Sequence, residues 1–561
     1  MKIIKTISLL FLGLSYLSNA VATQNNQTSL INARAQKPHQ PHLIVQIVVD
    51  QLRGDLLQQY RPVFGPHGFQ YLFAHGINYT NAYHPHALTV TCVGHATIAT
   101  GSTPSLHGII ANDWYDPVSQ KVTYCTEDQT TSLLANVRGK TTGTGQSPHN
   151  LLASTLSDEI VLAQKGRSFG VSLKDRAAIT LAGHAGKAFW FDKQNGGFIT
   201  SSYYYAKTPT WIDQWNKQYH PTATEWKLTG PLNTYTYASA PHDHRSMPIY
   251  HQTFPHAFGS PNSPEYLKYM LLSPLADEVT AQFAIDLIQQ EKLGQNHEKT
   301  DYLAISFSAL DMIGHQFGPN SLESEETLRQ LDRTIATLLN AIDNSVGLDN
   351  TLIVLSADHG MTDTPAWLEQ HHLSATPATN LEAIKDLILQ LVQKRYLLSE
   401  KAIETIKPPY IYLDHQYLKS KGLSAAEVAQ YIANSLQNIP GFYGIYPLAL
   451  TTTSNDWLNR KINKMYFPSR SGDLYIVPNP YQDITDTKEI SVTHGSPWNY
   501  DSYVPLLFVH GSWQSQTIDR PVHTTDIAST LTTLLNIKAP SSSIGTPLRE
   551  VLGAPTGRRP E

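Results

Sequence analysis

Residues 42–50 (HLIVQIVVD) run almost unbroken through apolar side chains and stop at a carboxylate. A strand with one face in water alternates apolar and polar positions, so this run predicts a strand covered on both faces. Residues 302–308 (YLAISFS), 351–358 (TLIVLSAD) and 504–510 (VPLLFVH) repeat the pattern. Helical stretches lie between them at 151–164, 321–344 and 525–535. Another ends at Glu291, with Ser273 as its expected N-cap and Pro274 as its first helical residue. Strands alternating with helices predict an α/β fold, a mostly parallel sheet flanked by helices. Ligands of such sheets gather at the carboxyl ends of the strands. The alternation breaks near 190–265, rich in Tyr, Trp and Pro, and near 365–480, where helix and strand signals mix. Both segments read as insertions over the sheet, within one domain spanning 41–552 and followed by a short tail at 553–561.

The chain opens with Lys2 and Lys5, an apolar stretch from Ile7 to Leu17, and small residues ending at Ala22. That order matches a secretory signal peptide over 1–22. A membrane anchor is the competing reading, but spanning a bilayer takes about 20 apolar residues, and Ser8 and Ser15 interrupt this stretch. The polar segment 23–40 then reads as a flexible lead-in. The expectation is a periplasmic or secreted protein with no stable membrane insertion. Only 16% of residues are charged and the net charge is -5, so the basic stripe that a nucleic-acid partner requires is missing. Cys92 and Cys125 are the two cysteines. In an exported protein they could pair, or remain two buried thiols, and both readings stay open.

Asp50, Asp311, His315, Asp358, His359 and His494 each fall at an expected strand end or just after one. Zinc accepts imidazole nitrogen and carboxylate oxygen, and two sites of three protein ligands would leave positions for substrate. The four-residue spacing of Asp311 and His315 lets a turn or helix start present both to one ion. Asp358 and His359 are adjacent, so they can approach one ion only at a sharp bend, which Gly360 eases. Most of the 24 histidines fit ordinary surface or turn positions, among them His84, His86, His242 and His244.

Further motifs accompany these residues: Val48-Val49-Asp50-Gln51-Leu52-Arg53, Thr89-Val90-Thr91-Cys92-Val93-Gly94-His95-Ala96, Asn112-Asp113-Trp114-Tyr115, Ser172-Leu173-Lys174-Asp175-Arg176 and Thr493-His494-Gly495-Ser496-Pro497. In this order, from about residue 42 to 550, they resemble the alkaline phosphatase superfamily, most closely its phosphate-irrepressible PafA-type monoesterases. The resemblance implies an alkaline-phosphatase-like three-layer sandwich, two Zn2+ per chain, and hydrolysis of small-molecule phosphate monoesters. It implies Asp311, His315 and His494 around one zinc and Asp50, Asp358 and His359 around the other, with Thr91 bridging to the second. Thr91 would be the nucleophile that becomes phosphothreonine, and Asn112, Lys174 and Arg176 would contact the non-bridging phosphate oxygens. Many relatives carry Pro two positions after the nucleophile where this chain has Val93, and a helix can begin there without it.

A threonine hydroxyl is a weak nucleophile, and a neighbouring zinc favours its alkoxide. A helix over 94–99 would add its amides and dipole to an incoming phosphate. On an extended segment Lys174 and Arg176 point to one face, so both cations could reach one phosphate. Alone, Lys174-Asp175-Arg176 reads as a solvated strand end and Thr91 as a helix cap; the surrounding motifs draw both to the site. A phosphodiesterase of the same superfamily is the nearest alternative, and it would be expected to lack the Lys and Arg pair. A non-catalytic phosphate-binding homologue would be expected to have lost Thr91 or a ligand. A sulfatase is excluded, because Cys92 is followed by Val93 rather than the Cys-x-Pro-x-Arg pattern.

Overall fold

The computed structural model describes residues 40–240, 250, 253–373, 380–437, 441–448, 456–482 and 492–554. The signal peptide expected over 1–22, nearly all of the lead-in, His242, His244 and most of the tail lie outside the described residues.

The strands of the main sheet are β1 (Leu43–Val49), β2 (Gly76–Tyr83), β3 (Ser168–Ser172), β4 (Lys187–Phe191), β5 (Phe198–Ile199), β6 (Asp301–Phe307), β7 (Thr351–Ser356), β8 (Tyr503–His510), β9 (Gln516–Ile518) and β10 (Val522–His523). Across the sheet the order is β9-β2-β8-β7-β1-β6-β3-β4-β5, with β10 also beside β2. β1 pairs in parallel with β6 and β7, β6 with β3, and β3 with β4. β8 is antiparallel to both its neighbours, β7 and β2.

Every residue of β1 is buried. Leu43, Val45, Ile47 and Val49 join one core, Ile44 and Val48 the other, because successive side chains leave opposite faces of a strand. Against the first face lie α4 (Leu275–Gln290), α5 (Ala309–Phe317) and α6 (Leu322–Ser345). Against the second lie α1 (Thr91–Thr100), α2 (Leu156–Leu162), α3 (Asp175–Ala182) and α7 (Asp526–Leu535). Three layers result. Gln46, the polar interruption in β1, accepts a hydrogen bond from the Tyr302 hydroxyl at 2.7 Å.

Helix starts follow local chemistry. Ser321 Oγ accepts from Ser324 N and caps α6, while Thr155 and Asp158 form a reciprocal capping box on α2. At α4 the expected register is one residue early: Pro274 takes the cap position and Leu275 opens the helix.

The expected insertions differ in character. The first sends Phe198, Ile212, Trp226, Tyr237 and Phe258 into the core beneath α4 and α6. The second contains a four-stranded antiparallel sheet, Ile403–Lys407, Tyr410–Leu413, Leu474–Val477 and Gly444–Pro447. A core of its own, including Ile388, Val392, Val428 and Ile432, backs that sheet. No helix among the described residues is long and apolar enough to cross a membrane.

Candidate active site

Five strands deliver side chains to one edge of the sheet. Asp50 directly follows β1, Lys174 follows β3, Asp311 lies in the first turn of α5 after β6, and Asp358 follows β7. β2 runs parallel to β1, and beyond its end Thr91 opens α1. His494 breaks the expected pattern, since it precedes a strand instead of ending one. β8 is antiparallel, so the chain enters it at the carboxyl edge of the others, where Asp501 O accepts from Gly360 N at 2.7 Å.

The three expected ligand histidines share an orientation. Nδ1 of His315 lies 2.9 Å from Val492 O, Nδ1 of His359 3.0 Å from Gly360 O, and Nδ1 of His494 2.7 Å from Thr89 O. A carbonyl only accepts, so Nδ1 carries the proton and the neutral ring offers its lone pair at Nε2. Those Nε2 atoms face carboxylates. His315 and His494 approach Asp311 Oδ1 at 3.3 and 3.4 Å, and His359 approaches Asp50 Oδ1 at 3.4 Å and Asp358 Oδ2 at 3.3 Å. Burial lowers His359 and His494 below the ordinary histidine value, whereas at His315 the Asp311 carboxylate outweighs burial and raises it.

Lone pair facing lone pair is favourable only with a cation between them. Asp50 Oδ1, Asp358 Oδ2 and His359 Nε2 are buried with no hydrogen-bond partner. These three residues form one group whose ligand atoms lie within 4.8 Å of one another; Asp311, His359 and His494 form another. The donor set therefore fits divalent cations, with carbonyls orienting each imidazole from behind. In the second group His359 stands where the sequence reading placed His315, whose Nε2 lies 3.3 Å from Asp311 one helical turn away. Burial, then Asp311 and Asp358, push the Asp50 carboxyl well above its ordinary value, the electrostatic signature of carboxylates crowded without enough positive charge.

The region around Thr91 departs from expectation in two respects. α1 begins at Thr91 itself rather than at Gly94, and Val90 occupies the cap position, so Thr91 is the first helical residue and not a capping side chain. Its helix packs directly on the loop that carries Asp358, for a Cβ built on Gly94 would sit 2.1 Å from Asp358 O. Lys174 and Arg176 are not on one extended segment: Lys174 is the extended cap of α3 and Arg176 lies in its first turn. Both still converge on the site. Arg176 donates to Thr91 Oγ1 at 3.3 Å, and Lys174 Nζ lies 2.5 Å from Asp50 Oδ2 and 2.5 Å from Asp311 Oδ2. Asn112 Oδ1 accepts from Cys92 N at 2.9 Å, beside Thr91.

Some supporting residues escaped the sequence reading. His95 sits one turn along from Thr91, with Nδ1 at 2.8 Å from Thr91 O and 3.2 Å from Asp358 Oδ2. Its position four residues after Thr91 was the available signal. Gln51 donates through Nε2 to Asp311 Oδ1 at 3.0 Å and through its backbone to Asp358 Oδ1 at 3.1 Å. Tyr124 donates to Asp175 Oδ1 at 2.7 Å and accepts from Arg176 at 3.4 Å. Cys92 and Cys125 form a disulfide. His84 and His86, read as surface or turn residues, are fully buried, and His84 Nε2 lies 2.9 Å from Ala357 O. Gly360 serves close approach rather than a left-handed bend, since a Cβ there would lie 2.1 Å from Tyr500 O.

The family model described as Type I phosphodiesterase / nucleotide pyrophosphatase matches residues 44–498. Alkaline phosphatase PafA of Elizabethkingia meningoseptica is 34% identical over 535 residues, which cover 91% of this chain and 95% of that protein. A solved structure of wild-type alkaline phosphatase PafA matches with a TM-score of 0.82 and 32% identity, covering 92% of this chain and 99% of that one. A second PafA structure, 31% identical with a TM-score of 0.82 and the same coverage, carries substitutions at a threonine, an asparagine, a lysine and an arginine. Their order and separations, 21, 62 and 2 residues, are those of Thr91, Asn112, Lys174 and Arg176.

Proposed function

This chain belongs to the Type I phosphodiesterase / nucleotide pyrophosphatase family and, within it, to the PafA-like alkaline phosphatases, and from that premise we propose that it is an exported two-zinc phosphomonoesterase with Thr91 as its nucleophile. The observation that carries the reading is the contact of Arg176 with Thr91 Oγ1 beside three converging, unpartnered ligand atoms. The matching separations of the four residues substituted in the PafA relative support the same roles.

In this reading Asp311, His315 and His494 hold one zinc, and Asp50, Asp358 and His359 the other, next to Thr91. The ions would supply Lewis acidity, favouring the Thr91 alkoxide and stabilising the leaving oxygen. Arg176, already on Thr91 Oγ1, holds two phosphate oxygens through its planar fork and sets phosphorus in line with the hydroxyl. Asn112 keeps its carbonyl on Cys92 N and turns its NH2 to a third oxygen. Lys174 adds a charge-assisted hydrogen bond once Asp50 and Asp311 are otherwise neutralised. Thr91 attacks phosphorus, the P–O bond to the alcohol breaks, and a phosphothreonine forms. Water then attacks that phosphorus, releasing phosphate and restoring the Thr91 hydroxyl.

Two cations beside Thr91 suit the dianionic monoester, which favours it over the diester. Comparing kcat/KM for an aryl phosphate monoester, an aryl phosphate diester and an aryl sulfate tests this. The monoester should be the best substrate, and a diester preferred over it would overturn the reading. The expected leader at 1–22 puts the mature protein outside the cytoplasm, beginning near Thr23. Intact mass of the extracytoplasmic protein checks this, and a retained leader in the membrane pellet would refute it.

A further inference from the structure

A cavity of about 200 Å3 opens beside Asn112 and His494. Its apolar walls come from two separate parts of the chain. Leu88 and Val90 belong to the segment leading into the nucleophile helix; Pro408, Pro409 and Pro478 flank strands of the small antiparallel sheet. The half-buried Tyr500 adds to the lining together with polar groups that include Thr362, Gln482 and Ser496, and Lys407, ion-paired to Asp113, is partly exposed at its side. A different cavity lies against Lys174 and Arg176, where Asp175, Asp192 and Lys193 line it.

These two hollows divide the substrate. Phosphate oxygens belong with the cations and Asn112, so the organic group of the ester extends away from Lys174 and Arg176, past Asn112 and into the hollow that Asn112 and His494 border. We propose that the apolar hollow is the leaving-group subsite and that it selects monoesters whose alcohol carries a single flat apolar ring. This rests on the phosphomonoesterase reading above and deepens it. The hollow is smaller than the roughly 300–1,000 Å3 of pockets for drug-sized ligands, so it suits one ring rather than an extended chain. Proline and aliphatic walls remove that ring from water without asking it for hydrogen bonds. Binding energy gained there, remote from the reacting bond, raises kcat/KM for ring-bearing substrates. The second insertion thereby acquires a role, as the supplier of one wall.

The test compares 2-phenylethyl phosphate with ethyl phosphate, both esters of simple alcohols that differ by the ring, in the zinc-loaded wild type and in Tyr500→Ala and Pro408→Ala. Wild type should favour the phenyl ester in kcat/KM by about tenfold, a ratio of the size that partial burial of one ring supports. Each variant should lose most of that preference while ethyl phosphate turnover changes less than about threefold, and thermal unfolding should confirm that both are folded. A preference unchanged in both folded variants, or absent in wild type, overturns the subsite while leaving the phosphomonoesterase reading in place. Hydrolysis of neither ester by folded wild type overturns that reading and the subsite with it.

Discussion

Lys174 Nζ lies 2.5 Å from Asp50 Oδ2 and 2.5 Å from Asp311 Oδ2, joining the two carboxylates assigned to different metal ions. Burial alone would lower the ammonium, yet Asp311 and Asp50 hold it above its ordinary value. Removing one partner of a buried ion pair costs about 3–5 kcal/mol, because the other charge is left uncompensated. Lys174→Ala should therefore destabilise chelated protein by that order and zinc-loaded protein much less, since the ions compensate the same carboxylates. Thermal unfolding with and without chelator checks this, alongside elemental analysis, which should find about two zinc per chain for a two-ion site. Equal losses in both states would mean that Lys174 is not interchangeable with the ions.

Thr91 stands at the start of its helix with Arg176 on its hydroxyl. Thr91→Ala should lower turnover by at least about a thousandfold, whereas Thr91→Ser keeps a hydroxyl and should keep much of the rate. Acid quench during turnover should trap phosphate on Thr91. Near wild-type turnover by the alanine variant would show that water attacks the ester directly.

Lys174→Ala combined with Arg176→Ala should separate substrate classes. A monoester offers two charges on three oxygens and a diester one charge on fewer. At roughly 2–4 kcal/mol per contact in a preorganised site, losing both should cost monoester kcat/KM at least about 10³-fold and diester kcat/KM far less. Equal losses would assign the pair to support of the fold or the metals.

The disulfide joins Cys92, next to Thr91, to Cys125, next to Tyr124, which contacts Arg176 and Asp175. Asn112 links the same pieces, its side chain to Cys92 N and its carbonyl to Cys125 N. With the cysteines 33 positions apart in the sequence, losing the bond should destabilise the fold by about 3–4 kcal/mol. Cys92→Ser with Cys125→Ser, assayed well below its melting temperature, should keep its zinc but lose about tenfold in kcat, as expected when phosphate ligands are less well placed. Unchanged kcat in the folded double variant would confine the bond to stability.

Far from the site, hydrogen bonding to Arg520 lowers the Glu550 carboxyl from 4.5 to about 2. A depressed folded pKa means that this pair stabilises above pH 4.5 and that its contribution disappears as pH falls toward 2. Arg520 is partly exposed, so solvent limits the effect to about 1 kcal/mol. Arg520→Ala should lower unfolding stability by that amount at pH 7 and by little near pH 2.5, measured by denaturant titration. An equal loss at both values would assign the effect to packing rather than charge.

Local pattern was enough to read the sheet. A run such as 42–50 can be buried on both faces only as an inner strand, and its carboxylate can stand only where the strand leaves the core. That is why Asp50, Asp311 and Asp358 were legible along the chain, and why Asp311 and His315, one helical turn apart, were legible as a pair. The tertiary structure decided what depends on residues meeting from distant parts of the sequence. The antiparallel direction of β8 brings His494 to the shared edge, the packing of α1 on the Asp358 backbone brings in His95, and the antiparallel pairing of Asp113–Asp116 with Lys121–Tyr124 brings Cys125 to Cys92. Lys174 takes its two carboxylates from strands that are separate in sequence and neighbours only in the sheet. Periodicity reports which face of an element is dry, but strand order and direction determine which residues share an edge.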